Sequence, residues 1–268
     1  MKPIIKWAGG KSRLLKHLLP RVPSFSGRYF EPFLGGGAML FALEHANAQA
    51  SDVNKELIEF YSVVRDDSDG LLKDICGWKN DEETFYAVRE MDRDAGSYSS
   101  LSPSVRAARF LYLNKTCFNG LYRTGKTGFN TPWGHGTDVI INECVMKSAA
   151  DYLQNIELRC CGFEEALSEA KKDDFVYLDP PYVPLKPDEK WFSGYGVQFG
   201  MPEQIRLKDL CLNLKERGVN GMLSNSDTPQ TRELYDNDVF NVDTLMAPRA
   251  ISQSASGRKS VSELLVSW

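Results

Sequence analysis

Residues 28 to 52 constrain the fold more than any other stretch. Arg28-Tyr29-Phe30-Glu31-Pro32-Phe33 is β-rich and ends in Gly35-Gly36-Gly37. Ala38 to His45 (AMLFALEH) is a good helix former, and a short strand around Ala48 to Ala50 runs into Ser51-Asp52. Strand, glycine turn, helix, strand is the unit from which doubly wound α/β sheets are built. Glycines at such a turn let a ligand approach the backbone, and an acidic residue ending the next strand can accept hydrogen bonds from two ribose hydroxyls. Asp52 stands in that place. Gly35, Gly37 and Leu40 miss the last glycine of a G-x-G-x-x-G dinucleotide fingerprint. A tight turn beside a surface aspartate is the alternative reading.

The alternation stops after Asp52 and resumes near residue 156. Between about 55 and 115 the chain reads as helical, through ELIEFYSVVRD, EETFYAVREMDRD and SVRAARFLYLNK. A hairpin-like stretch follows, CFNGLYRTGKTGFNTPWGHG, dense in Gly, Asn and Thr. Asn155 to Gly162 then predicts a strand, Glu164 to Lys171 a helix, and Asp174 to Leu178 a short buried strand. Ile205 to Arg217 predicts an amphipathic helix and Gly221 to Ser224 another strand. The end, FNVDTLMA … SVSELLVSW, reads as a two-strand hairpin joined by SQSASGRKS. The expected fold is α/β, a doubly wound, mostly parallel sheet interrupted between about 57 and 145 by a helical insertion.

Composition narrows the function classes. With 268 residues, 42% hydrophobic and 25% charged, the chain has the profile of a globular protein with a sizeable core. No apolar run approaches the ~20 residues of a membrane span, and the N-terminus lacks the pattern of a secretory signal. The six cysteines show no metal-ligand spacing, which fits a reducing, cytoplasmic compartment. The net charge of −4 argues weakly against a polyanionic partner. Yet no acidic residue falls between Asp94 and Asp138, where Arg106, Arg109, Lys115, Arg123 and Lys126 lie, and Arg249, Arg258 and Lys259 follow near the end. Such a segment either binds nucleic acid or is a solvated helix face.

Two short motifs carry chemistry. Lys6-Trp7-Ala8-Gly9-Gly10-Lys11-Ser12 ends like a phosphate-binding loop, but the glycine required five residues before Gly10 is Ile5, and too few residues precede it to form the necessary strand. The triphosphatase reading is rejected. Asp179-Pro180-Pro181-Tyr182 follows FVYL directly, at the carboxyl end of a strand, where open α/β sheets place their ligands. The prolines remove N–H donors and fix φ, so the carbonyls of Asp179 and Pro180 can serve as acceptors. Oxygen acceptors beside an aromatic ring suit a flat base bearing an exocyclic amino group. The alternative is a rigid surface turn.

KWAGGK, EPFLGGG with Asp52 downstream, FNGLYR and DPPY, in this order, resemble the Dam-type DNA adenine-N6 methyltransferases of the α-group, the D12 class. The similarity runs from Lys6 to the final SELLVSW. It implies a seven-stranded methyltransferase sheet, with residues 1–56 and 146–268 as the S-adenosylmethionine-binding catalytic domain. Residues 57–145 would be the DNA-recognition domain, with a hairpin near 118–134. By the same resemblance Trp7, Lys11, Phe33, Gly35, Gly37 and Asp179 would line the S-adenosylmethionine pocket, Asp52 would hold the ribose, and Phe163 would pack on the cofactor adenine unless it is simply a core residue. Asp179 and the Pro180 carbonyl, held by Pro181, would accept the target amino hydrogens, with Tyr182 stacked on the base.

Adenine N6 is reached only after the base leaves the duplex. Two oxygen acceptors would shift this nitrogen toward tetrahedral geometry and stabilise its developing positive charge. Transfer would be direct, yielding S-adenosylhomocysteine, with neither metal nor covalent intermediate expected. Arg123 would read a guanine and Lys6 another, Asn130 would take a phosphate, and Phe118, Asn119 and Leu121 would wedge into the stack. FNGLYR together with Phe129-Asn130-Thr131-Pro132-Trp133-Gly134 implies GATC as the target. His135 departs from the basic residue that relatives often carry after that glycine. The implied partner is double-stranded DNA, with a cognate restriction endonuclease in some cells. Two further readings stand: an amino-nitrogen methyltransferase acting on RNA or protein, and a DNA-binding relative without catalysis.

Overall fold

The computed structural model describes residues 1–136, 141–186, 191–194, 197–236, 238–248 and 260–268. The strands are β1 (Tyr29–Glu31), β2 (Ala48–Asp52), β3 (Thr124–Gly125), β4 (Gly128–Phe129), β5 (Ile156–Cys160), β6 (Phe175–Leu178), β7 (Phe192–Gly194), β8 (Val197–Phe199), β9 (Asn220–Ser226), β10 (Asn241–Pro248) and β11 (Ser260–Ser267). Seven of them form one sheet in the order β10-β11-β9-β6-β1-β2-β5. β1 pairs in parallel with β2 and β6, and β6 with β9, while β11 runs antiparallel to both β9 and β10. The mostly parallel sheet matches the expectation from the strand–turn–helix–strand opening, and its seven strands match what the family resemblance implied.

The helices are α1 (Leu15–Leu18), α2 (Ala38–Leu43), α3 (Lys55–Ile75), α4 (Glu82–Glu90), α5 (Ala95–Ser100), α6 (Pro103–Thr116), α7 (Glu143–Leu153), α8 (Phe163–Ala166), α9 (Met201–Glu216) and α10 (Pro229–Tyr235). None is long and apolar enough to cross a membrane among the described residues. Capping explains several starts. Asn54, Asp81, Asp94, Ser102, Asn142 and Thr228 each accept the backbone N–H three residues on, satisfying a donor the helix leaves orphaned.

Two differences from the sequence reading have local causes. The helix expected over 164–171 ends at Ala166. There the side-chain amide of Gln49 takes the Ala166 carbonyl at 2.7 Å, and Asp174 Oδ2 accepts the Lys171 N–H at 2.8 Å. Helix α9 starts four residues before Ile205, because Glu203 folds back to accept the Gly200 N–H at 2.8 Å and Pro202 sits in the first turn. Helices α7 and α10 and the β7–β8 ribbon were not anticipated.

The chain divides into two compact units, Met1–Gly10 with Gly35–Ala46 and Asp52–Cys160, and Lys11–Leu34 with Asn47–Ser51 and Cys161–Trp268. The first is organised around Phe60, Tyr61, Phe110, Leu111, Tyr112 and Phe129, all nearly or fully buried. In the second, Phe30, Val176, Leu178, Leu207, Cys211, Leu214, Leu223 and Val266 form one apolar cluster between sheet and helices. Burial of such area is the main stabilising contribution in either unit.

Candidate active site

In the first unit, the glycine turn and Asp52 are built together. Gly35 and Gly37 have φ of 47° and 66°, a left-handed conformation that glycine adopts at little cost. A Cβ on Gly35 would stand 2.7 Å from Cδ1 of Trp7, and one on Gly36 would stand 3.1 Å from the Trp7 Cβ. The indole therefore lies on the turn, and glycine is required by that contact as well as by φ. Trp7 is in turn stacked with Phe110 and Tyr122 at centroid separations of 6.2 and 6.3 Å. Asp52 Oδ2 accepts the Gly35 N–H and Oδ1 the Asn54 N–H, each at 3.0 Å. Burial pushes its carboxyl pKa up, opposed by the N–H groups of Asn54, Gly35 and Val53. With about four lone-pair sites and these three N–H donors, the carboxylate keeps acceptor capacity for a further donor.

The proposed recognition segment lies in the same unit. Asn119 and Gly120 both have positive φ, and a Cβ on Gly120 would meet the Lys6 side chain at 2.9 Å. Lys6 thus lies across the FNG turn, while its backbone N–H and carbonyl are both bound by the Asn114 side chain at 3.0 and 2.7 Å. Phe118 is 53% exposed, unusual for so large an apolar ring, whereas Tyr122 is buried and donates its hydroxyl to Glu56 at 2.8 Å. Arg123 and Asn130 meet directly, Nε to Oδ1 at 2.6 Å, and the Asn130 N–H bonds the Arg123 carbonyl. Asp92 accepts the Phe129 N–H at 2.7 Å and pairs with the fully buried Arg109 at 2.7 Å, fixing the hairpin's base. The His135 ring lies 4.7 Å from that of Trp133, tilted by 51°. Arg249, Arg258 and Lys259 fall outside the described residues.

In the second unit, Asp179 follows β6 and is four-fifths buried. Lys11 Nζ stands 2.8 Å from Asp179 Oδ1 and 4.6 Å from the centroid of the Tyr182 ring. The lysine is itself only 5% exposed. Burial pushes the Asp179 carboxyl up, and the Lys11 ammonium pulls it back. Tyr182 donates its hydroxyl to Glu263 Oε2 at 2.8 Å, and its pKa is raised well above normal by burial and by the charges of Asp179 and Glu263. Gln204 Nε2 bonds the Pro181 carbonyl at 2.8 Å, so of the two proline carbonyls the second is engaged. Among the described residues no donor reaches the Pro180 carbonyl. Phe33 and Phe163 stack at 5.6 Å, Phe163 being 7% exposed within the apolar cluster.

Sequence reading therefore located the two strand-end carboxylates but missed their surroundings. Lys11 was expected only to line a cofactor pocket and is found on Asp179. Gln204, Asn225, Glu263, Glu56 and Asp92 lie far from the motifs they support, and nothing in their local sequence singles them out.

An open, mostly parallel sheet with an antiparallel terminal hairpin and carboxylates at its strand ends has the architecture of a methyltransferase. The family profile for D12 class N6 adenine-specific DNA methyltransferase matches residues 7–251, and the chain belongs to that family. It is 37% identical over 272 residues to the type II methyltransferase M1.LlaDCHI of Lactococcus lactis subsp. cremoris, covering 99% of this chain and 95% of that protein. It is 34% identical to the type II methyltransferase M.MjaIII of Methanocaldococcus jannaschii, covering 99% and 98%. The DNA adenine methylase of Haemophilus influenzae is also 34% identical, over 98% of this chain and 92% of its own length. The protein is a DNA methyltransferase.

Proposed function

We propose that the enzyme transfers a methyl group from S-adenosylmethionine to N6 of an adenine flipped out of duplex DNA, within GATC. The observation that carries this reading is the buried Asp179 at the end of β6, beside Tyr182 and charge-paired with Lys11. Membership in an N6 adenine-specific family supports the reacting atom.

The residues present suit the cofactor. Asp52 offers two carboxylate oxygens, held by backbone donors yet with acceptor capacity left for the ribose hydroxyls. Gly35 leaves room for the Trp7 indole against the turn, and Trp7, Phe33 and Phe163 supply aromatic surface. Bound S-adenosylmethionine supplies a methyl group on a sulfonium, and S-adenosylhomocysteine is its product. Asp179 would accept one N6 hydrogen and the Pro180 carbonyl the other, localising the lone pair on nitrogen and stabilising the positive charge that develops there. Lys11 holds Asp179 against protonation. Pro181 stiffens the loop, and Tyr182 provides the stacking face.

For recognition we assign Arg123 to a guanine O6 and N7, Lys6 to a second guanine and Asn130 to a phosphate. The exposed Phe118, with Asn119 and Leu121, would fill the gap left by the flipped base. The helical residues 57–145 would make up this DNA-recognition part. Duplex DNA is the substrate, met in the cytoplasm. Two relatives named as type II methyltransferases suggest a restriction endonuclease as a cellular counterpart.

The test is tritiated-methyl transfer to two duplexes differing only in GATC or GTAC. Label at adenine N6 in the GATC duplex alone is the expected outcome. Label in both duplexes would discard the hairpin's assigned specificity, and label in neither, from folded protein, would overturn the target.

A further inference from the structure

The loop carrying Tyr182 is clamped on both sides of that residue. Before it, Gln204 bonds the Pro181 carbonyl, and Asn225 Nδ2 bonds Gln204 Oε1 at 3.0 Å. After it, Asn225 Oδ1 accepts the Val183 N–H at 3.1 Å, and the Ser226 hydroxyl donates to the Val183 carbonyl. Gln204 and Asn225 are completely buried, so each of these bonds is costly to break. The backbone at Tyr182 is thereby fixed, leaving the rotation of its own side chain as the remaining freedom. Stacking on a base needs only the ring, which phenylalanine would provide. The hydroxyl needs another explanation.

Its partner supplies one. Glu263 lies on β11, opposite Ser226 of β9 on one side and Leu245 of β10 on the other. A central strand paired along both edges is a rigid base for a side chain. The Tyr182 hydroxyl donates to Glu263 Oε2 at 2.8 Å, with Asp179 its other carboxylate neighbour, and burial keeps the hydroxyl protonated. The Lys11 ammonium stands over the face of the ring, 4.6 Å from its centroid. We propose that Glu263 is a positioning residue for methyl transfer: through the Tyr182 hydroxyl it fixes the plane on which the target base stacks. The proposal rests on the assignment of Tyr182 as that stacking face.

The experiment compares single-turnover methyl transfer to a GATC duplex by the intact enzyme and by Tyr182→Phe, Glu263→Ala, Glu263→Gln, the Tyr182→Phe/Glu263→Ala double variant and Tyr182→Ala. Glu263→Ala and Tyr182→Phe should each slow transfer about tenfold, the scale of one lost positioning hydrogen bond. Glu263→Gln keeps an acceptor and should restore the rate to within about threefold of wild type. In the Tyr182→Phe background, Glu263→Ala should add almost nothing, because the interaction is already gone. Equal losses in both backgrounds would mean that Glu263 acts independently of the hydroxyl, and the proposal falls. A Tyr182→Phe variant as fast as wild type overturns it too, whether or not Glu263→Ala folds. If instead Tyr182→Ala transfers at the wild-type rate, the stacking assignment itself is wrong.

Discussion

Asp52 and Asp179 each stand at the carboxyl end of a parallel strand, and burial raises the carboxyl pKa of both. What opposes burial differs. Asp52 is held by backbone N–H groups that cannot move without moving the glycine turn. Asp179 is held by a lysine ammonium on a four-carbon stem. A carboxylate locked by backbone donors keeps a fixed geometry, as suits the binding of hydroxyls that do not react. One paired with a side-chain cation can exchange that partner for a substrate amine as charge develops. The two sites thus use one residue type for opposite purposes, binding and catalysis.

The sharpest way to break this contrast is at Asp179. Asp179→Asn is nearly isosteric but carries one acceptor oxygen and no charge. Loss of a preorganised electrostatic contact lowers kcat by about 100- to 1,000-fold. The dissociation constant for S-adenosylmethionine should stay within a few-fold of wild type. Rapid-quench methyl transfer and equilibrium cofactor titration separate the two quantities. A variant that binds cofactor poorly while turning over at the normal rate would reverse the roles given to the two aspartates.

Asp52→Asn should do the converse. Its amide would face either the Gly35 or the Asn54 N–H with a donor instead of an acceptor. Two charge-assisted bonds to the ribose would weaken at once. The cofactor dissociation constant should rise about 10- to 100-fold, the equivalent of a lost hydrogen bond to a charged group. Single-turnover rates at saturating cofactor should change little. An unchanged dissociation constant by calorimetry would remove Asp52 from the cofactor site.

The comparison also shows what the sequence could convey. Most strands of the sheet, the two aspartates and the hairpin were legible because hydrophobic runs and glycine or proline punctuation are local signals. Their partners were not. Lys11 and Asp179 stand 168 positions apart in the sequence, and Tyr182 and Glu263 stand 81 apart. No periodicity reports a contact made by folding. Gly35 was legible as a turn, but the reason for its missing side chain, the Trp7 indole, appears only in three dimensions. Short helices such as α8 were misjudged at their ends because the distant Gln49 takes the Ala166 carbonyl and Asp174, three residues on, takes the Lys171 N–H. Arg123 and Asn130, assigned separately to base and phosphate, turn out to be bonded to each other, so neither is presented independently of the other.

The smallest expected effect is also the most discriminating, because it depends on pH. Asp179 must be ionised to accept an N6 hydrogen and stabilise charge on that nitrogen. Burial raises its pKa and Lys11 lowers it, with the net shift upward. Activity should therefore fail on the acid side above the ordinary carboxylate range. Lys11→Met removes the lowering influence while keeping much of the buried stem's volume. The acid limb of kcat should then move to higher pH, leaving transfer about three- to tenfold slower near neutrality and recovering as pH rises. If Lys11 merely blocked Asp179 from the base, its removal would speed transfer and leave the limb in place. A limb that moved to lower pH would mean that the ammonium does not hold the carboxylate ionised, and the distinction between a locked and an exchangeable carboxylate would be lost.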